Sequence, residues 1–191
     1  MRTKKYFLGI DPSLTGTGVV LLSESGGVIG WELIQTLPKD FTAPVDRKLF
    51  ISASIKAFLD SNKSSARGSV LAAIESPSFY GKGNNVTLAE LYGFLQADLF
   101  SDLSGCLGVS PASVKQFLTG GGGATKKDMM FVVSTRLGKE HPITKNDNLS
   151  DAYALARVAR YVYSLPDAKD RTELISVTKR KDMKPKCSVL F

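Results

Sequence analysis

The amino-acid sequence predicts an α/β domain of five strands with helices packed around them, and three observations lead to that class. Short apolar runs bounded by glycine, proline or polar turns recur as far as Val109. Helical periodicity fills the intervals after the third run, and beyond Val109 only helical patterns remain.

Residues 5–11 open the chain with a buried-looking run, Tyr6 to Ile10, that ends at Asp11. Gly16 and Gly18 lead into a second run through Val19-Val20-Leu21-Leu22, and residues 27–36 give a third. The tetrapeptide Glu24-Ser25-Gly26-Gly27 between the last two has hairpin-turn composition. Residues 44–60 keep helical spacing at Val45, Leu49, Ser52, Ile55 and Leu59, and a Ser/Asn/Lys-rich loop follows at 61–68. The fourth strand, Val70-Leu71-Ala72-Ala73-Ile74, is cut off after Glu75 by Ser76-Pro77, because proline cannot donate to a ladder. Thr87 can cap a helix striped by Leu88, Leu91, Leu95 and Leu99. A fifth strand at 106–109 precedes Ser110-Pro111, an N-cap followed by a first-turn proline, and a helix at 114–118. After Gly120 to Gly123, residues 126–137 turn Met129, Met130, Val133 and Leu137 inward. A last helix spans residues 148–163, with Leu149, Ala152, Ala156, Ala159 and Tyr163 at helical spacing.

The chain has 191 residues, 43% of them apolar, enough for one domain with a substantial core. We expect a body over residues 1–164 and a basic C-terminal tail over 165–191, where periodicity fades and Lys179-Arg180-Lys181, Lys184 and Lys186 cluster. Net charge is +7, of which +4 belongs to the body, a balance suited to a polyanionic partner such as nucleic acid. Cys106 and Cys187 have no partner pattern for a disulfide framework or a zinc site. Residues 6–10 are too short for a signal peptide core and no apolar stretch has the length of a membrane span, so a cytoplasmic location without a membrane partner is expected.

Three acidic positions fall where three elements end or begin: Asp11, Glu75 and Asp151. Each has a plain structural reading of its own, since Asp-Pro-Ser forms turns and acidic residues favour helix starts. Together they form the pattern that metal-dependent phosphodiester hydrolysis requires, carboxylate oxygens on rigid element ends. Asn148 and Asp147 precede Asp151 by three and four residues, which puts their oxygens on the same helix face.

Several strings together resemble the RuvC-like Holliday junction resolvases of the RNase H superfamily, over nearly all of residues 5–163. LGIDPSLTGTGVV is similar to that family's first hairpin, AAIESPSFYGKGNN to its glutamate strand and the aromatic loop after it, and SDAYALARVA to its closing helix. SPASVKQFLTGGGGATKKD also matches, with Lys115 and Lys126 eleven residues apart. One departure stands out, because the family commonly has an acidic residue where this chain has Asn148. His141, the single histidine, lies upstream in a loop and reads as structural or incidental.

The resemblance implies an RNase H-like fold with a five-stranded mixed sheet flanked by helices, and a homodimer; a bacteriophage member of the family would be located in the host cytoplasm. It implies an endonuclease that resolves four-way DNA junctions with two Mg²⁺ ions per site, Mn²⁺ substituting, and leaves 5′-phosphate ends. Asp11 would bridge both ions, Glu75 would hold one, and Asp151 with Asp147 or Asn148 the other. Phe79 or Tyr80 would stack at the junction centre, while Lys82, Lys115, Lys126 and Lys127 would meet phosphates. Other readings of the same residues are an RNase H-fold nuclease for flaps, branched DNA or structured RNA, and a junction-binding module that does not cut. A sugar-kinase or actin-like ATPase is disfavoured, because a second Asp-Gly-Thr hairpin is missing from the sequence.

Overall fold

The computed structural model describes residues 4–62, 69–77, 86–163 and 187–189. β1 (Lys5–Asp11), β2 (Gly16–Ser23) and β3 (Val28–Gln35) form an antiparallel meander. α1 (Pro44–Asn62) then crosses to β4 (Ser69–Glu75), and α2 (Val86–Asp98) crosses to β5 (Gly105–Val109). β4 runs parallel to both β1 and β5, so the sheet is mixed, as the resemblance implies. Three residues near the C-terminus, β6 (Cys187–Val189), pair antiparallel with β5 and give the order β3-β2-β1-β4-β5-β6. α3 (Pro111–Thr119), α4 (Lys126–Leu137) and α5 (Asp147–Tyr163) complete the fold. Among the described residues no helix is long and apolar enough to cross a membrane.

The period of two along the strands sorts side chains into two cores. Leu8, Ile10, Val19, Leu21, Ala72 and Ile74 face α1 and α2, where they meet Ile51, Ile55, Leu59, Leu91 and Leu95. Phe7, Val20, Leu22, Ala73, Leu107 and Val109 face the opposite way, onto α3, α4 and α5. Burying one Leu or Phe contributes roughly 1.5–3 kcal/mol, so both layers are needed to hold the sheet between them.

α5 is the most enclosed helix, with Leu149, Ala152, Tyr153, Ala154, Leu155, Ala156, Val158 and Ala159 all buried. Its alanines permit close approach, and glycines on the strands complete it. A methyl group at Gly9 would lie 1.9 Å from the carbonyl oxygen of Ala152, and one at Gly18 would lie 2.2 Å from that of Asn148. Helix backbone therefore rests almost directly on strand backbone, which fixes the start of α5 against the ends of β1 and β2.

Two local expectations are corrected. Val45 and Leu49 sit on the predicted stripe of α1 yet are exposed, and Phe50 is exposed beside them. The buried stripe is Ile51, Ser52, Ile55, Phe58 and Leu59, because only the second half of α1 is covered. Thr87 lies inside α2 rather than capping it, since the helix already begins at Val86. The cap at Ser110 does form, its side chain accepting the N–H of Ser113 with Pro111 in the first turn.

Candidate metal centre

Strand pairing brings the first two carboxylates together. Ile10 and Ile74 are in register across the parallel β1–β4 pair, so Asp11 and Glu75 end neighbouring strands. Adjacent strands lie about 4.8 Å apart. Residues 12–17 then turn the chain back, with Thr17 donating to the carbonyl of Ser13 at 2.6 Å. Opposite, α5 begins at Asp147, capped by Asn146, whose side-chain oxygen accepts the N–H of Leu149 at 3.0 Å. Asp151 comes one turn later, next to the Ala152 carbonyl that lies over Gly9. Asp11, Glu75 and Asp151 are each only partly accessible to solvent.

Electrostatics show that these groups feel one another. The Asp11 carboxyl is held well above the usual carboxylate range by burial first, then by Glu75 and Asp151. Glu75 is pushed up to about 7, by burial and then by Asp151, with Lys115 and Lys126 opposing. Asp151 is raised to about 6, again chiefly by burial; Lys126 and Lys115 lower it and Asp147 raises it. Asp147 behaves oppositely and is lowered, mainly by a hydrogen bond from Lys126. The two lysines thus offset only part of a buried negative cluster.

Buried carboxylates with insufficient counter-charge are what a divalent cation would stabilise. The donors are oxygens, which suits a hard ion such as Mg²⁺ or Mn²⁺. Among the described residues no three acidic, histidine or cysteine side chains stand close enough to enclose an ion as they are. Binding would therefore draw in the carboxylates of Asp11, Glu75 and Asp151 from their fixed backbone positions. In chemistry the set fits such an ion.

The raised values carry a sign. A carboxylate whose pKa is higher folded than unfolded gives stability that is complete below its ordinary value and is lost as pH rises through the folded value. Cation-free protein is therefore expected to weaken between about pH 4 and 7, with Asp151 titrating at about 6 and Glu75 at about 7. The shift at Glu75 is worth on the order of 3 kcal/mol. Melting temperatures in chelator should fall from pH 5 to pH 8, less so in Glu75→Gln, and Mn²⁺ should restore the loss at pH 8. Equal pH slopes for the two proteins would show that Glu75 is not held in this cluster.

Of the remaining expected site residues, Lys115 is half-buried on α3, and Lys126 and Lys127 are exposed at the start of α4. Phe79, Tyr80 and Lys82 lie outside the described residues. At His141, Nδ1 accepts the N–H of Ile143, and the ring lies 4.8 Å from that of Trp31. Sequence reasoning missed two features. One is the Lys126–Asp147 contact. The other is a cavity of about 260 Å³ beyond the second half of α5, lined by Arg136, Arg157 and Arg160 with Gly26, Gly27 and Tyr153. Neither leaves a local motif, because each joins residues from separate elements.

Comparison with known proteins gives one consistent result. The family model described as "Crossover junction endodeoxyribonuclease RuvC" matches residues 7–159. The crossover junction endodeoxyribonuclease RuvC of Gloeobacter violaceus is 29% identical over 174 residues, covering 89% of this chain and 96% of that protein. The Thermus thermophilus RuvC structure superposes with a TM-score of 0.65 at 25% identity, covering 83% of this chain and 95% of the other. A second structure, T. thermophilus RuvC in complex with Holliday junction substrate, gives 0.63 at 23% identity, covering 85% and 96%.

Proposed function

The chain belongs to the RuvC family of crossover junction endodeoxyribonucleases, and we infer that it resolves four-way DNA junctions by metal-dependent phosphodiester hydrolysis that leaves 5′-phosphate ends. The observation that carries this reading is the convergence of Asp11, Glu75 and Asp151, from β1, β4 and α5, into one electrostatically coupled cluster. Two Mg²⁺ ions, or Mn²⁺ in their place, would supply activation of the attacking water and neutralisation of the leaving oxygen.

The residues divide that work. Asp11, Glu75 and Asp151 would hold the ions, Asp11 as the ligand common to both. Asn148 or Asp147 would supply the remaining oxygen beside Asp151. An amide oxygen can serve, at the cost of one negative charge. Lys115 and Lys126 already bias the cluster electrostatically, and on binding they would meet substrate phosphates together with Lys127. Phe79 or Tyr80, with Lys82, would engage the junction centre. The nuclease body is taken as residues 1–164 and the basic C-terminal segment as 165–191, whose strand β6 returns to the sheet.

The carboxylates cannot choose a junction over a duplex, because any phosphodiester satisfies them. Selection requires shape, and a two-fold homodimer would set two sites on strands of like polarity. The exposed Val45, Leu49 and Phe50 on α1, with Val86 at the start of α2, support such an assembly, since they offer apolar surface on one layer of the domain.

The test is a panel of four-way junction, flap, duplex and RNA–DNA hybrid, cut in Mg²⁺ at two salt concentrations. The junction should be cut at least about tenfold faster than the duplex, and its binding should weaken steeply with salt. Equal cutting of flap and junction would replace this reading with that of a general branched-DNA nuclease.

A further inference from the structure

Lys126 opens α4 and Asp147 opens α5, 21 residues apart, yet the lysine Nζ donates to the Asp147 carboxylate. The pair lies at the rim of the site, with side chains 64% and 39% exposed. From there the ammonium still acts on Asp11, Glu75 and Asp151. Asp147 differs from those three in its surroundings. Its carboxylate accepts from Lys126, which holds it below the usual carboxylate range where the other three are raised. Its neighbour Asn148 packs onto the hairpin, where its amide nitrogen comes within 2.9 Å of where a Gly16 methyl would be.

We propose that Asp147 is a positioning residue that acts through Lys126, and not a metal ligand: its carboxylate holds the ammonium at the mouth of the cluster, where it meets a non-bridging oxygen of the substrate phosphodiester. This deepens the nuclease reading of the site and rests on it. An exposed ion pair contributes little to stability, so its value lies in placement. A lysine has a long flexible stem and a compact charge, and fixing that charge before the phosphate arrives removes a rotamer cost from the bound state. Without Asp147 the ammonium would swing into solvent or collapse onto the deeper carboxylates and compete with the cations there. Anchored by Asp147, it leaves Asp11, Glu75 and Asp151 free for the ions.

The test combines Asp147→Asn, Asp147→Glu, Lys126→Ala and the Asp147→Asn/Lys126→Ala double variant. Two quantities are read: single-turnover cutting of a four-way junction in saturating Mg²⁺, and Mn²⁺ binding to DNA-free protein by calorimetry. Asp147→Asn should slow cutting about tenfold, the loss of one charge-assisted hydrogen bond, and Asp147→Glu should recover most of it. The double variant should cut no more slowly than Lys126→Ala alone, since one interaction is removed only once. Mn²⁺ affinity of Asp147→Asn should stay within about threefold of the parent, because no coordinating atom is lost. The proposal is overturned if that affinity drops tenfold or more, or if the Asp147→Asn penalty persists in full without Lys126. Failure of the parent protein to cut the junction would instead overturn the nuclease reading, and this proposal with it.

Discussion

Asp11→Asn is expected to bind a four-way junction with parental affinity and to cut it at least about 1,000-fold more slowly. Asp11 ends the central strand of the site and is coupled to Glu75, Asp151 and Asp147. Asparagine keeps the shape and one acceptor oxygen but removes the charge that a shared ligand must provide. In the proposed reading, binding rests on the lysines around the rim and on the shape of the DNA, neither of which the substitution touches. It also removes a buried repulsion, so the cation-free variant should melt no lower than the parent at pH 8. Single-turnover cutting alongside gel-shift binding in Ca²⁺ separates the two effects. Parental cutting by this variant would remove Asp11 from the mechanism and with it the assignment of the site.

Gly9→Ala is the substitution expected to cost most in stability, about 3 kcal/mol or more. The added methyl would meet the Ala152 carbonyl oxygen at 1.9 Å and the Ala156 nitrogen at 2.4 Å. Both are backbone atoms of a buried helix, so no side-chain rotation relieves the clash. α5 would have to lift away from β1, carrying Asp151 with it, and cutting should be lost along with stability. Gly93→Ala provides the contrast. Gly93 lies within α2 with nothing within 4 Å of an added methyl, and the change should stabilise by up to about 1 kcal/mol through helix propensity and chain entropy. Urea denaturation of the two variants would decide it, and equal midpoints would show that α5 does not rest on β1 as closely as described.

Much of this architecture is local and therefore readable along the chain. Apolar runs stopped by Asp11 and by Glu75-Ser-Pro locate two strand ends, and the 3.6-residue spacing from Leu149 to Tyr163 locates the helix that faces them. The helix bearing Ser110-Pro111 follows from cap chemistry alone, with the same logic on paper and in space. Periodicity identifies an apolar face but not what covers it. Val45 and Leu49 belong to the same stripe as Ile55 and Leu59, and only the extent of the second layer decides which are buried. The short strand Cys187–Val189 was equally hidden, since three residues carry too little pattern to register as a strand.

Local pattern along the chain established the first five strands and the helices, their order and which acidic residues stand at element ends, because backbone preference and side-chain alternation act over a few residues. Tertiary structure alone decided that Asp11 and Glu75 end adjacent parallel strands, that glycine and alanine let α5 bring Asp151 down beside them, and that Lys126 reaches Asp147. Those outcomes depend on strand register, close backbone contact and Coulomb forces between residues far apart in the chain. Such forces act through space, and nothing in the local pattern of residues records them.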